Sequence, residues 1–268
     1  MQTIDLVKVD HGQKFGKKCE HIKPNITESC LLREGGEFIG AYIKDASSLS
    51  DRLAKLMSLA NSEFLSDRVP KSTLKRSDTL QTAKRFGISY AEAEKISTTQ
   101  YSTIVGSVPK KAHMRRSYHN RSSVHLANTA QTFIKAMLMA SNELERVMRI
   151  LLPDAVKIHS DAVSGIEEKW RFGNLFTSSI SNFNISAPFH MDRANLKGTM
   201  NAIYTKRLNS TGGCLYVPDY DACFEQPDGS LLIYPAWRNL HGVTPIAATH
   251  DGGYRNSLVF YALKAFLK

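Results

Sequence analysis

From about Trp170 onward the chain breaks into short strand-like runs, and this texture limits its fold more than any other feature. The runs are RFGNLFTSSISNFNIS, GTMNAIYTKRL, GGCLYVPDY, GSLLIYPAW, HGVTPIAA and RNSLVFYALKAFL, separated by Gly, Pro, Asn and Asp. Strands that recur at roughly 10–15-residue spacing, with turn residues between them, close into a β-sandwich or barrel. Gly212-Gly213, just before Cys214-Leu-Tyr-Val-Pro218, reads as a tight turn between two of these strands.

The residues before this region have a different character. Residues 33–40 (REGGEFIG) read as a turn beside a short strand. Residues 47–65 carry Leu49, Leu53, Leu56, Leu59 and Ala60 at helical spacing, behind serines suited to capping. Residues 126–151 form the strongest helix pattern, with Phe133, Met137, Ala140, Leu144, Val147 and Leu151 on one stripe and Pro153 as its stop. The expected organisation is a mixed, basic extension over 1–125, then a helix and β-fold over 126–268, together forming one integrated domain.

Charge narrows the choice of partner. The 268 residues carry a formal net charge of +10, which attracts polyanions. Residues 68–85 hold Arg68, Lys71, Lys75, Arg76, Lys84 and Arg85 against Asp78. Residues 109–121 add Lys110, Lys111, Arg115, Arg116 and Arg121, with His113, Tyr118 and His119 among them. Basic residues mixed with an aromatic suit a phosphate backbone with bases nearby, and a solvated loop is the plain alternative. No apolar run approaches the roughly 20 residues needed to cross a bilayer. The N-terminus has no signal-like apolar stretch, and the four cysteines form no CxxC pair. The expectation is therefore a cytoplasmic protein with reduced thiols and no membrane contact.

His190-Met191-Asp192, followed by His241, is the constellation that carries chemistry. If the first segment is extended, residues two apart point to one face, so His190 and Asp192 can reach the same ion. With a distant imidazole they make two histidines and a carboxylate on one face of an octahedron. Iron(II) is held this way in oxygenases with open coordination positions; the same three ligands also suit zinc in a hydrolase. Arg255 and Ser257 follow, two apart on another candidate strand. A guanidinium and a hydroxyl on one face grip a carboxylate, as a co-substrate such as 2-oxoglutarate requires.

From about Phe183 to Leu267 these motifs resemble the TET/JBP-type dioxygenases, which oxidise the 5-methyl group of pyrimidines in nucleic acid. The N-terminal two thirds is similar to extensions found in phage and bacterial members. The resemblance implies an α+β fold with a double-stranded β-helix (jelly-roll, cupin-like) core and an N-terminal helical extension. It implies that His190, Asp192 and His241 are both metal ligands and catalytic centre, with Fe(II), 2-oxoglutarate and O2 as the cofactor and co-substrates. Arg255 and Ser257 match the 2-oxoglutarate clamp within RNSLVFY. Asn195 falls where the family hydrogen-bonds the target base, and Tyr261 where it stacks on that base. Ala194 and Leu263 depart from the pattern, because histidines that recognise the base stand there in TET enzymes. The iron chemistry therefore carries over further than the identity of the base.

The implied activity is oxidation of 5-methylcytosine or thymine in DNA. Two alternatives stand beside it: a 2-oxoglutarate-dependent hydroxylase of a protein side chain or small metabolite, and a nucleic-acid-binding module without catalysis.

Overall fold

The computed structural model describes residues 1–73, 80, 83–84, 87–96, 100–111 and 117–267. Lys75, Arg76, Arg85, His113, Arg115 and Arg116 of the two basic segments lie outside them. Sixteen strands are present among the described residues: β1 (Gln2–Asp5), β2 (Cys30–Glu34), β3 (Glu37–Ile43), β4 (Ser72–Thr73), β5 (Tyr101–Val108), β6 (Asn120–Arg121), β7 (Ser178–Phe183) and β8 (Ala187–His190). After these come β9 (Asn201–Leu208), β10 (Ser210–Gly212), β11 (Leu215–Val217), β12 (Ala222–Phe224), β13 (Leu231–Tyr234), β14 (His241–Val243), β15 (Ile246–Ala248) and β16 (Tyr254–Tyr261). The helices are α1 (Asp51–Leu65), α2 (Tyr90–Ile96), α3 (Gln131–Leu151) and α4 (Pro153–Ser164).

Two sheets face each other. The large one runs β1-β2-β3-β13-β9-β16-β7-β5-β4, with β6 added to β5; the small one runs β12-β11-β14-β8. Strands from both sides of residue 125 share the large sheet: β3 pairs β13 and β5 pairs β7, both antiparallel. The layer between the sheets is apolar, with Leu32, Tyr42, Ile203, Leu215, Val217, Phe224 and Tyr234 all buried in one cluster. This two-sheet arrangement is the double-stranded β-helix expected from the sequence.

Helices cover the outer face of the large sheet. Phe133, Met137, Ala140, Leu144 and Val147 of α3 are buried as their spacing predicts. They pack with Leu53, Met57, Ala60 and Phe64 of α1 and with Leu258 and Phe260 of β16. Burying a side chain of this size contributes roughly 1.5–3 kcal/mol each, so the helix layer is a principal source of stability. Two helical details differ from expectation. Leu59 is 44% exposed, because the buried stripe of α1 is 53-57-60-64 and Leu59 falls outside it. Pro153 ends α3 only by starting α4: it takes the first turn, where its missing N–H costs nothing. Ser50 caps α1, its side chain accepting from the Leu53 N–H at 3.0 Å.

His159 of α4 joins helix layer and sheet. Its Nε2 lies 2.7 Å from the Leu175 carbonyl, and its Nδ1 accepts from the Met200 N–H at 3.3 Å. The ring is fully buried, and burial pushes its pKa down to about 4. It is thus a neutral imidazole donating from one nitrogen and accepting at the other. Among the described residues no helix is long and apolar enough to cross a membrane.

Candidate active site

His190 and His241 stand opposite each other on antiparallel strands. His190 closes β8, His241 opens β14, and the two are register partners. Their ring centroids are 4.3 Å apart. The chain leaves the sheet after His190, so Asp192 sits in the following loop and not on the strand, as the simplest reading of His-x-Asp assumed. That loop is tied back by the Asp192 N–H donating to the Ala236 carbonyl at 3.1 Å and the Asn195 N–H donating to the Asp192 carbonyl at 2.8 Å. One ligand atom from each of His190, Asp192 and His241 lies within 4.8 Å of the others, a spacing that fits a single ion.

Hydrogen bonds around the triad decide which atoms face the centre. His190 Nδ1 is 2.8 Å from the Pro188 carbonyl, and His241 Nδ1 is 3.1 Å from the Asn239 carbonyl. A carbonyl only accepts, so both Nδ1 atoms carry the proton and both Nε2 lone pairs are free to bind a metal. Asp192 Oδ2 accepts from Asn201 Nδ2 at 2.9 Å and from Asn195 Nδ2 at 3.3 Å, which leaves Oδ1. That oxygen lies 3.5 Å from His190 Nε2. His241 is buried, and burial together with the neighbouring His190 lowers its pKa, keeping it in the neutral form that binds metal. The residues present therefore fit a facial two-histidine, one-carboxylate site.

The triad opens into a cavity of about 360 Å³ between the sheets. Arg255, Ser257, Asn195 and Tyr261 line it, so all seven residues singled out in the sequence meet there. Arg255 and Ser257 share a face of β16, two residues apart as expected. Arg255 is 2% exposed, and its Nε is buried with no hydrogen-bond partner. Burial, then the adjacent Arg207, lowers its pKa to about 10, so it remains a cation. Arg207 is its cross-strand partner on β9, but that guanidinium is already occupied by the Gly212 and Gln226 carbonyls at 2.7 and 2.9 Å. A buried cation beside a second cation, with an unpaired N–H, is costly unless an anion completes it. Gly213 makes room for this side chain. It has φ +68°, and a Cβ there would meet Arg255 Cδ at 2.4 Å.

Two residues were missed in the sequence. Asn201 is buried at the start of β9 and orients Asp192; an asparagine nine residues from its partner has no signal in spacing alone. Asn182 lines the cavity opposite Ser257 in the β7–β16 pairing. Asn195 was expected at the base. The structure places it in the cavity wall with its amide donating to Asn201 Oδ1 at 2.8 Å as well as to Asp192. Tyr261 also lines the cavity, with burial pushing its phenol pKa far up, so it is neutral.

The expected phosphate contacts divide. Arg68 forms a two-point ion pair with Glu63, Lys71 donates to the Ser66 carbonyl, and Arg121 donates to Ser107 Oγ and the Arg171 carbonyl. These three serve the fold. Lys84, Lys110 and Lys111 are exposed.

No protein-family model and no curated protein sequence matches the chain. Solved structures do match. NgTET1 in complex with 5mC DNA is similar at 14% identity over 96% of this chain and 84% of that one, with a TM-score of 0.59. An oxidoreductase of the 2OG-Fe(II) oxygenase family from Burkholderia pseudomallei matches at 13% identity, covering 80% and 83% of the two chains, with a TM-score of 0.44. At such identities the likeness concerns the fold, and the first of the two carries it.

Proposed function

We propose that this chain is an Fe(II)- and 2-oxoglutarate-dependent dioxygenase of the TET/JBP type that oxidises the 5-methyl group of a pyrimidine in DNA. The observation that carries the reading is the pairing, in one cavity, of three residues spaced to hold one ion with a buried arginine whose Nε has no partner. His190, Asp192 and His241 would hold the iron. Arg255 and Ser257 would take the far carboxylate of 2-oxoglutarate, with Asn182 beside them. When bound, iron, 2-oxoglutarate and O2 supply the oxidant that converts C–H to C–OH, releasing succinate and CO2.

The chain's own residues do the positioning. Asn201 and Asn195 fix one oxygen of Asp192 and point the other at the metal. The carbonyls of Pro188 and Asn239 fix the two imidazoles. Ile203, Leu215, Val243 and Val259 supply apolar wall that excludes water. A pyrimidine in duplex DNA must leave the stack to reach the centre, at a cost of a few kcal/mol. Stacking against Tyr261 would offset part of that cost, and the Asn195 side-chain oxygen is available to the base. The +10 charge, the fold shared with a protein solved in complex with 5mC DNA, and the matches at Asn195 and Tyr261 support DNA as substrate. Four free cysteines suit the reducing cytoplasm.

The test is nucleoside mass spectrometry after incubation with Fe(II), 2-oxoglutarate, ascorbate and DNA with or without 5-methylcytosine. The reading expects a hydroxymethyl, formyl or carboxyl pyrimidine that requires 2-oxoglutarate. Succinate without any modified pyrimidine would move the substrate to a protein or metabolite. Neither product would leave a binding module.

A further inference from the structure

The segment Lys14-Phe15-Gly16-Lys17-Lys18 forms a tight turn against β8, whose Ala187 and His190 line the cavity. The Lys17 N–H donates to the Lys14 carbonyl at 3.1 Å, and Gly16, at the third position, has φ +77°, which a type II turn requires. Phe15 occupies the second position and is 62% exposed. The turn is fastened to the free edge of β8. The Gly16 N–H donates to the Phe189 carbonyl at 2.7 Å, and the Phe189 N–H donates to the Lys17 carbonyl at 2.8 Å. Phe189 immediately precedes the ligand His190, so the turn sits one residue from the metal site.

The surroundings are cationic. The Arg193 guanidinium, next to Asp192, lies 5.4 Å from the Phe15 ring centroid. Lys197 and Lys264 are exposed as well, and the Lys264 N–H donates at 3.1 Å to the carbonyl of Ala194, which lines the cavity. Among the described residues only Lys18 of the turn is paired, to Glu20 at 3.2 Å. Phe15 is thus held at the edge of β8 with the Arg193 guanidinium over its ring and the exposed Lys14 and Lys17 on either side of it in the turn. Charge and aromatic surface together match a polyanion with flat bases.

We propose that this turn is a DNA-docking element: Lys14, Lys17 and Arg193 contact backbone phosphates, and Phe15 stacks in the gap left when the target nucleotide swings into the cavity. The proposal rests on the functional reading above and assigns that reading a wedge. Proteins that open a base stack commonly fill it with an apolar side chain. The anchoring to β8 fixes the distance between wedge and metal, so insertion and delivery of the base are one geometric event.

The experiment uses the full chain with Mn(II) and 2-oxoglutarate, and a short DNA duplex with one central 5-methylcytosine flanked by 2-aminopurine. Fluorescence anisotropy at several salt concentrations reads binding, and 2-aminopurine emission reads unstacking. K14Q/K17Q is expected to weaken binding and to reduce the slope of log affinity against log salt by about 2. F15A is expected to lose about tenfold in affinity and most of the emission rise. Thermal melting confirms that both variants are folded, which the exposure of the turn favours. Wild-type protein that binds the duplex while both variants match it in affinity, slope and emission would overturn the docking element alone. Wild-type protein that does not bind the duplex would overturn the docking element and the DNA reading together.

Discussion

Asn201 donates to Asp192 Oδ2 at 2.9 Å, so the one carboxylate of the candidate metal site, in the loop after β8, is held by a residue at the start of β9 in the large sheet. This contact chooses which carboxylate oxygen meets the ion. Removing partners that orient metal ligands typically costs about 10–100-fold in metal affinity. Asn201→Leu should therefore weaken binding of Fe(II), or of Co(II) as a redox-stable substitute, by that factor. Titration calorimetry checks it. Unchanged affinity would mean that the loop after His190 orients Asp192 without help.

Arg255 should govern affinity for 2-oxoglutarate and not for metal. Its Nε is buried without a partner and its neighbour Arg207 is already occupied. Truncating one side of a buried charged pair costs about 2–5 kcal/mol. Arg255→Gln should therefore raise the KM for 2-oxoglutarate by about 30-fold or more, with metal affinity retained. Gly213→Ala should do the same more mildly, because its methyl group would occupy the space of Arg255 Cδ. A KM unchanged in both variants would remove Arg255 from the clamp.

His159 predicts acid sensitivity of the fold. Its folded-state pKa, about 4, is depressed below the ordinary 6.5. As pH falls below 6.5 the unfolded chain takes up a proton that the native imidazole refuses until about pH 4. Stability is therefore complete above 6.5 and is lost as pH falls through that window, by up to about 3 kcal/mol. Urea midpoints between pH 7 and pH 4 measure this loss. His159→Gln should be less stable at neutral pH and should show a shallower decline. Equal declines in both proteins would assign the acid sensitivity to other groups.

The β-rich fold was legible in the sequence from its strand-like runs; which residues the fold brings into one cavity was legible only in part. Arg255 and Ser257 could be placed together because a strand has a period of two and β16 is regular. His190 and His241 could be singled out as candidate ligands, but their cross-strand pairing could not, since β8 is a short edge strand with Pro188 in it and resembles a loop. Asp192 joins the two histidines from a turn, and the two backbone hydrogen bonds that fix it leave no trace in residue type. The spacing of α3 was clear because its buried stripe is long. Leu59 misled because leucine at a helical interval does not reveal which of two overlapping stripes faces inward. The KFGKK turn escaped notice for a different reason: its meaning comes from Phe189, which lies far along the chain.

On the proposed function, one cavity takes a metal at His190, Asp192 and His241 and the far carboxylate of 2-oxoglutarate at Arg255. Binding of 2-oxoglutarate, measured by calorimetry with and without Mn(II), tests it most directly. The structure predicts one 2-oxoglutarate per chain in the presence of metal, little without it, weak binding in Arg255→Gln, and no metal-dependent binding in Asp192→Ala. Binding of 2-oxoglutarate that is equally tight without metal, or indifferent to both substitutions, would contradict it.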